Sequence, residues 1–177
     1  MFDVEAKDSE IAITSLKMRT YTSGTVKAEV WTKAGTMIGS EYNSGAWTKI
    51  LDHTFSTESW SMMQLPDFAS PVEIAAGGRQ AFYVTLEAAG DVLFALGTSY
   101  STVSGEDANL RIYEGTYNVY PFGGKGGPAI WNGEITYMKN GGGTFTVAPT
   151  PDPTPAPTPN PTPNPTVSYA KRPGYFI

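Results

Sequence analysis

Phe2, Val4 and Ala6 alternate with Asp3 and Glu5 in "MFDVEA", the period of a strand with one buried face. "EIAITSLKMRT" begins the same way at Ile11 and Ile13. Its phase then slips by one residue at Leu16 and Met18, which predicts a bulge or a bend inside the strand. "TVKAEVWTK" puts Val26, Ala28 and Val30 on one face and Lys27, Glu29, Trp31 and Lys33 on the other, before "AGT" turns the chain at Gly35. In "AWTKILDHTF" the pattern offers Trp47 or Ile50 as the inward residue and does not choose between them. "PVEIAAGG" reads as a short strand closed by Gly77 and Gly78. "RQAFYVTLEA" is the strongest strand, with Phe82, Val84 and Leu86 set against Ala81, Tyr83 and Thr85. "VLFALG", "NLRIYEG", "AIWNGEITYMK" and "GTFTVA" follow. No window sustains a 3.6-residue period, and glycines punctuate most junctions. About ten short strands with evenly spaced turns predict an all-β protein, a β-sandwich with jelly-roll or Greek-key connections.

The composition changes after Val147. Nine of the 14 prolines lie between Pro149 and Pro165, where every odd position is proline. Such a tract has no amide at half its residues and a fixed φ, so it enters neither sheet nor helix. It favours polyproline II, and at about 3.1 Å per residue its 17 residues reach about 50 Å. The chain therefore divides into a β-sandwich domain over 1–147, a Thr/Pro-rich linker over 148–166 and an apolar segment over 167–177. Thr150, Thr154, Thr158, Thr162 and Thr166 recur every fourth residue. With three residues per turn, their hydroxyls point all round the tract. This is the composition of a stiff spacer or an O-glycosylated stalk. The sequences "NPT" at Asn160 and Asn164 are not N-glycosylation sites, because proline holds the middle position. The following "TVSYAKRPGYFI" presents Val167, Tyr169, Tyr175, Phe176 and Ile177. Left free, these side chains would be an aggregation liability, so they are expected to dock.

The 177 residues carry a net charge of −5 and have no Lys/Arg cluster, which removes the electrostatic footprint of a nucleic-acid binder. Apolar runs are too short for a membrane-spanning helix, and no basic surface helix is present. Without cysteine there is no thiol catalysis, thiolate zinc site or iron–sulfur cluster; the compartment stays open. The opening residues already read as a strand, so no secretion leader is expected within them.

Candidate chemistry is sparse. The single histidine, His53, stands beside Asp52 on a strand and reads as a surface residue. Neither a metal site nor a catalytic triad can be built from it alone. Glu106, Asp107 and Asn109 in "GEDAN" have calcium-binding oxygens, but a loop carrying carboxylates reads first as a solvated one. Glu73, Glu114 and Glu134 are the carboxylates from which a glycosidase pair would be drawn, and nothing in the sequence marks one as perturbed. "FGGKGG" lacks the spacing of a phosphate loop. No catalytic residue, metal or cofactor is expected. Among four tryptophans and ten tyrosines, Trp31 shares its strand face with charged residues. It is the expected exposed aromatic contact, for a sugar ring or a protein partner.

"MFDVEA", "AFYVT" at 81–85, "LRIYEG" at 110–115, "YPFGG" at 120–124 and "WNGEITY" at 131–137 occur in this order. Together they resemble a repeat module of large secreted proteins of diatoms and related algae and protists, over residues 1–138. The resemblance implies an extracellular surface or matrix module, often in many copies, and carries no catalytic residues. This chain departs from it by holding one copy, then the proline tract and the apolar segment. The tract resembles those of algal cell-wall glycoproteins, which implies hydroxylation and glycosylation of Pro151, Pro155, Pro159 and Pro163 as well as of the threonines. The expectation is a structural subunit of an extracellular filament or surface appendage. It would assemble with further copies of itself, head to tail, through its C-terminal segment. The alternative is a carbohydrate-binding or adhesive module on a proline-rich stalk.

Overall fold

The computed structural model describes residues 1–87 and 92–139, and the backbone of 146–149. The modification candidates Thr150 to Thr166 and Pro151 to Pro163, and the docking candidates Val167, Tyr169, Tyr175, Phe176 and Ile177, lie outside these residues. The described residues form strands β1 (Phe2–Ala6), β2 (Ile11–Arg19), β3 (Gly24–Ala34), β4 (Thr48–Thr57), β5 (Met62–Gln64), β6 (Val72–Ile74) and β7 (Arg79–Leu86). They continue with β8 (Phe94–Leu96), β9 (Val103–Glu106), β10 (Leu110–Tyr113), β11 (Gly115–Asn118), β12 (Lys125–Trp131), β13 (Gly133–Lys139) and β14 (Thr146–Pro149). A short 3-10 turn spans Ser44–Ala46. No helix among the described residues is long and apolar enough to cross a membrane.

The chain is an all-β sandwich of antiparallel sheets. One sheet has the order β4-β3-β7-β1-β10-β9; the other runs β14-β13-β2-β5, with β6 also on β2. Their facing sides meet in one core. Phe2, Val4 and Ala6 of β1, Phe82 and Leu86 of β7, and Leu110 and Ile112 of β10 pack against Ile11, Ile13, Leu16 and Met18 of β2 and Ile135 and Tyr137 of β13. The phase slip in β2 is a bulge: Ile13 pairs with Tyr137 and Ser15 with Thr136, so Thr14 is the extra residue. The added residue restores the inward direction for Leu16 and Met18.

A second bulge settles the ambiguous stretch before β4. Val30 pairs with Leu51 and Trp31 with Lys49, leaving Ile50 unpaired on β4. Ile50 packs on the main core, while Trp47 joins a separate cluster with Met37, Tyr83 and Phe122. Both residues are therefore inward, toward different cores. The second cluster lies on the outer side of β7 and explains why Ala81 and Tyr83 are as buried as Phe82, Val84 and Leu86.

The six-stranded sheet carries charges on its outer side where the loops leave it open. Glu5 accepts from Arg79 at 2.9 Å, Arg111 at 3.0 Å and the Tyr113 hydroxyl at 2.8 Å. The Arg79 hydrogen bond, helped by Tyr113 and Arg111, holds the Glu5 carboxyl below its ordinary value of 4.5. A carboxyl lowered in the fold contributes stability that is complete above its unfolded pKa and is lost as pH falls through the folded one. Acidification below 4.5 is thus expected to lower the urea midpoint. Glu5→Gln should have a lower midpoint at neutral pH and a shallower loss on acidification. Parallel pH profiles for the two proteins would contradict this role for Glu5.

Candidate functional site

A third, three-stranded sheet of order β11-β12-β8 bridges the two layers at one end of the sandwich. It arises because two long strands change sheets. β10 passes into β11 at Glu114–Gly115, and β12 into β13 at Asn132–Gly133. Both glycines are required by close backbone approach. A Cβ on Gly115 would overlap the Met1 carbonyl oxygen and lie 2.9 Å from Phe2 Cα; one on Gly133 would overlap the Lys17 carbonyl oxygen and the Trp131 ring. Glu114 is buried at the same place. Its carboxylate accepts from the amides of Thr98 at 2.6 Å and Ser99 at 2.9 Å, and so ties down the turn after β8.

Between this bridging sheet and the end of β7 opens a cleft of about 480 Å³, within the range of ligand and peptide pockets. Tyr83, Val92, Phe94, Tyr117, Tyr120 and Trp131 are among the residues that line it. Its back wall belongs to the core: Trp131 stacks on Phe2 with centroids 4.3 Å apart and planes within 10°. Burial pushes the Tyr83 hydroxyl pKa above its ordinary value. The front is an aromatic shelf, with the Phe94 and Tyr117 rings stacked at 4.6 Å and 15°. Gly126 makes the shelf possible, because a Cβ there would collide with the Tyr117 ring. Phe94 and Tyr117 remain 38% and 43% exposed, and Leu96 and Val119 beside them are more open still. Exposed apolar side chains grouped round a cleft mark an interaction surface rather than scattered surface residues.

Trp31 does lie on the face of β3 opposite the main core, as its charged neighbours imply, but it is half-buried. Its indole N–H donates to Glu29 at 3.0 Å, the Phe122 ring meets it edge-on at 5.3 Å, and the Lys49 ammonium stands 5.1 Å from its ring. The more exposed tryptophan is Trp60, in the turn between β4 and β5. Sequence spacing missed it because the turn residues around it carry no periodicity.

Of the carboxylates named from the sequence, Glu73 is exposed on β6, while Glu106, Asp107, Glu114 and Glu134 have structural partners. Asp107 accepts from the amides of Asn109 at 2.8 Å and Leu110 at 3.0 Å and from the Tyr137 hydroxyl at 2.6 Å; Glu106 pairs with Lys7 at 2.6 Å. Glu134 pairs with Lys17 at 2.7 Å. The Lys125 of "FGGKGG" reaches Glu41 at 2.6 Å. His53 is exposed on β4 and stacks on Phe55 at 6.2 Å. Among the described residues no three His, Asp or Glu side chains group as a metal site.

Comparison with known proteins finds no matching family model, no matching curated protein and no matching solved structure.

Proposed function

We propose that this protein is a non-catalytic structural subunit of an extracellular filament or surface appendage, joined head to tail through residues 167–177. The observation that carries the reading is the position of the aromatic cleft relative to the chain exit. β14 runs antiparallel to β13, with Thr146 opposite Tyr137 and Pro149 opposite Glu134. It delivers the chain to Glu134 at the start of β13, three residues from the cleft residue Trp131. A domain of this size has a radius of gyration of about 15 Å and is about 40 Å across. An arm of about 50 Å, the reach that the Thr/Pro composition dictates, carries residues 167–177 beyond the parent domain. An apolar segment held at that distance meets the cleft of a neighbouring copy, and a head-to-tail contact of this kind propagates without closing. Val167 and Tyr169, on either side of Ser168, have the alternation with which a segment adds to a sheet edge such as β8 or β11. The placement of β1 between β7 and β10, far from it in sequence, supports a jelly-roll or Greek-key reading of the connections. The threonines and prolines of the tract are the sites offered for glycans.

Negative-stain electron microscopy of the full chain, with intact mass on the same sample, is the test. The expected result is regular filaments and excess mass on the tract. Deletion of residues 167–177 should leave monomers; polymers from the deletion protein would overturn the proposal.

The second reading, a carbohydrate-binding or adhesive module on a stalk, is favoured by a separate observation. An exposed aromatic pair, Trp60 and Tyr21, lies away from Trp31.

A further inference from the structure

Trp60 sits at φ 67°, in the left-handed region that glycine favours and a bulky side chain avoids. The turn around it is held from several directions. The Trp60 amide donates to the Thr20 carbonyl at 2.8 Å, and the Ser61 amide to the Glu58 carbonyl at 3.2 Å. Ser61 Oγ reaches the Glu58 carbonyl at 2.5 Å and the Thr57 hydroxyl at 3.2 Å, and Ser59 Oγ donates to the Tyr21 carbonyl. These bonds lock the turn to the strand end that carries Tyr21. What the locked turn presents is an indole that is 63% exposed, with its centroid 6.1 Å from the Tyr21 ring, which is 45% exposed, and the planes inclined by 36°.

A glycine at position 60 would remove the strain, and a polar side chain would remove the exposed apolar surface. A strained residue held open to solvent by its surroundings points to a ligand.

We propose that Trp60 and Tyr21 form a stacking platform for a neutral pyranose ring of a glycan. The C–H face of a pyranose is apolar and slightly positive, which matches the negative face of an aromatic ring. Its hydroxyl edge needs donors and acceptors at the rim, and Glu58, Ser59 and Thr22 supply them in the same two segments. Two rings inclined by 36° form a shallow, continuous shelf. A cage for a quaternary ammonium needs walls that face the cation from different sides. Residues 57–61 and 20–22 contain one charged side chain, Glu58, and its carboxylate repels sulfated and uronic sugars. Neutral sugars remain. This inference does not rest on the assembly reading; it gives the carbohydrate reading a site, and a site other than Trp31.

The test is binding of cellopentaose, laminaripentaose and mannopentaose to the full chain, read by protection of tryptophan fluorescence from acrylamide and by calorimetry. At least one of the three should protect the wild-type protein. Tyr21→Ala should weaken that binding about tenfold or more. Trp60→Gly should abolish it while leaving the melting temperature equal or higher, because glycine accepts the left-handed backbone. Loss of binding with gain of stability separates a ligand platform from a structural residue. The proposal is overturned if none of the three sugars protects, if Trp60→Gly binds as the wild type does, or if tetramethylammonium protects where the sugars do not. It is equally overturned if Trp60→Gly blocks polymerisation and leaves sugar binding intact. Filaments that fail to form while sugar still protects Trp60 would count against the assembly reading alone.

Discussion

Gly115→Ala is expected to cost about 3 kcal/mol and to lower the thermal midpoint by about 10 °C. Gly115 is where β10 leaves the six-stranded sheet and becomes β11. Its Cα faces the Met1–Phe2 backbone, and the Thr116 amide donates to the Met1 carbonyl at 3.0 Å across this gap. An added methyl would overlap the Met1 carbonyl oxygen and lie 2.8 Å from the Met1 carbonyl carbon. These are main-chain atoms tied into a ladder, so relief requires the strand itself to shift. Calorimetry of the variant beside Gly124→Ala makes the comparison sharp. Gly124 has nothing within 4 Å of its built Cβ, so alanine there should change stability by no more than about 0.5 kcal/mol. Equal midpoints for the two variants would show that the sheet switch tolerates a side chain.

Trp131→Ala should be at least as damaging, at about 3–5 kcal/mol, because it removes a large buried ring and leaves a void that β-sheet backbone cannot collapse to fill. Trp131 stacks on Phe2, and Phe2 in turn stacks on Phe82 at 5.8 Å, so the void would open along the centre of the sandwich. The expected signature is a lower urea midpoint together with weakened near-ultraviolet circular dichroism. A midpoint unchanged from the wild type would mean that the ring contributes little to the core. Because Trp131 serves both core and cleft, its loss says nothing clean about docking. Tyr117, on the open side of the shelf, is the residue through which cleft function is separable from stability.

The five short motifs that suggested a resemblance are neighbours in space. "MFDVEA" is β1, "AFYVT" lies in β7, and "LRIYEG" is β10 and the switch at Glu114–Gly115. "WNGEITY" spans the second switch, and "YPFGG" supplies Phe122, whose ring meets Tyr83 at 4.8 Å. β1 pairs with β7 on one side and β10 on the other. The residue types in these motifs are therefore dictated by one packed unit: a ring stack, two close-approach glycines and a buried carboxylate. The packing of the fold accounts for these residue types.

Local periodicity was enough to determine the all-β class, most inward faces and the bulge in β2. A period of two records which side of a strand is wet, and a slipped phase records an extra residue. Tertiary structure decided the rest. The outer cluster is assembled from Tyr83 of β7 and from Met37, Trp47 and Phe122, which lie outside the strands and distant in sequence, and it is what half-buries Trp31 on a face that reads as polar. The cleft exists because two strands change sheets, an event marked in the sequence by a single glycine each. Trp60 is exposed because a turn, whose residues obey no period, holds it at a positive φ. Periodicity reports a residue's relation to its own strand; burial by a distant loop depends on contacts that only the folded chain brings together.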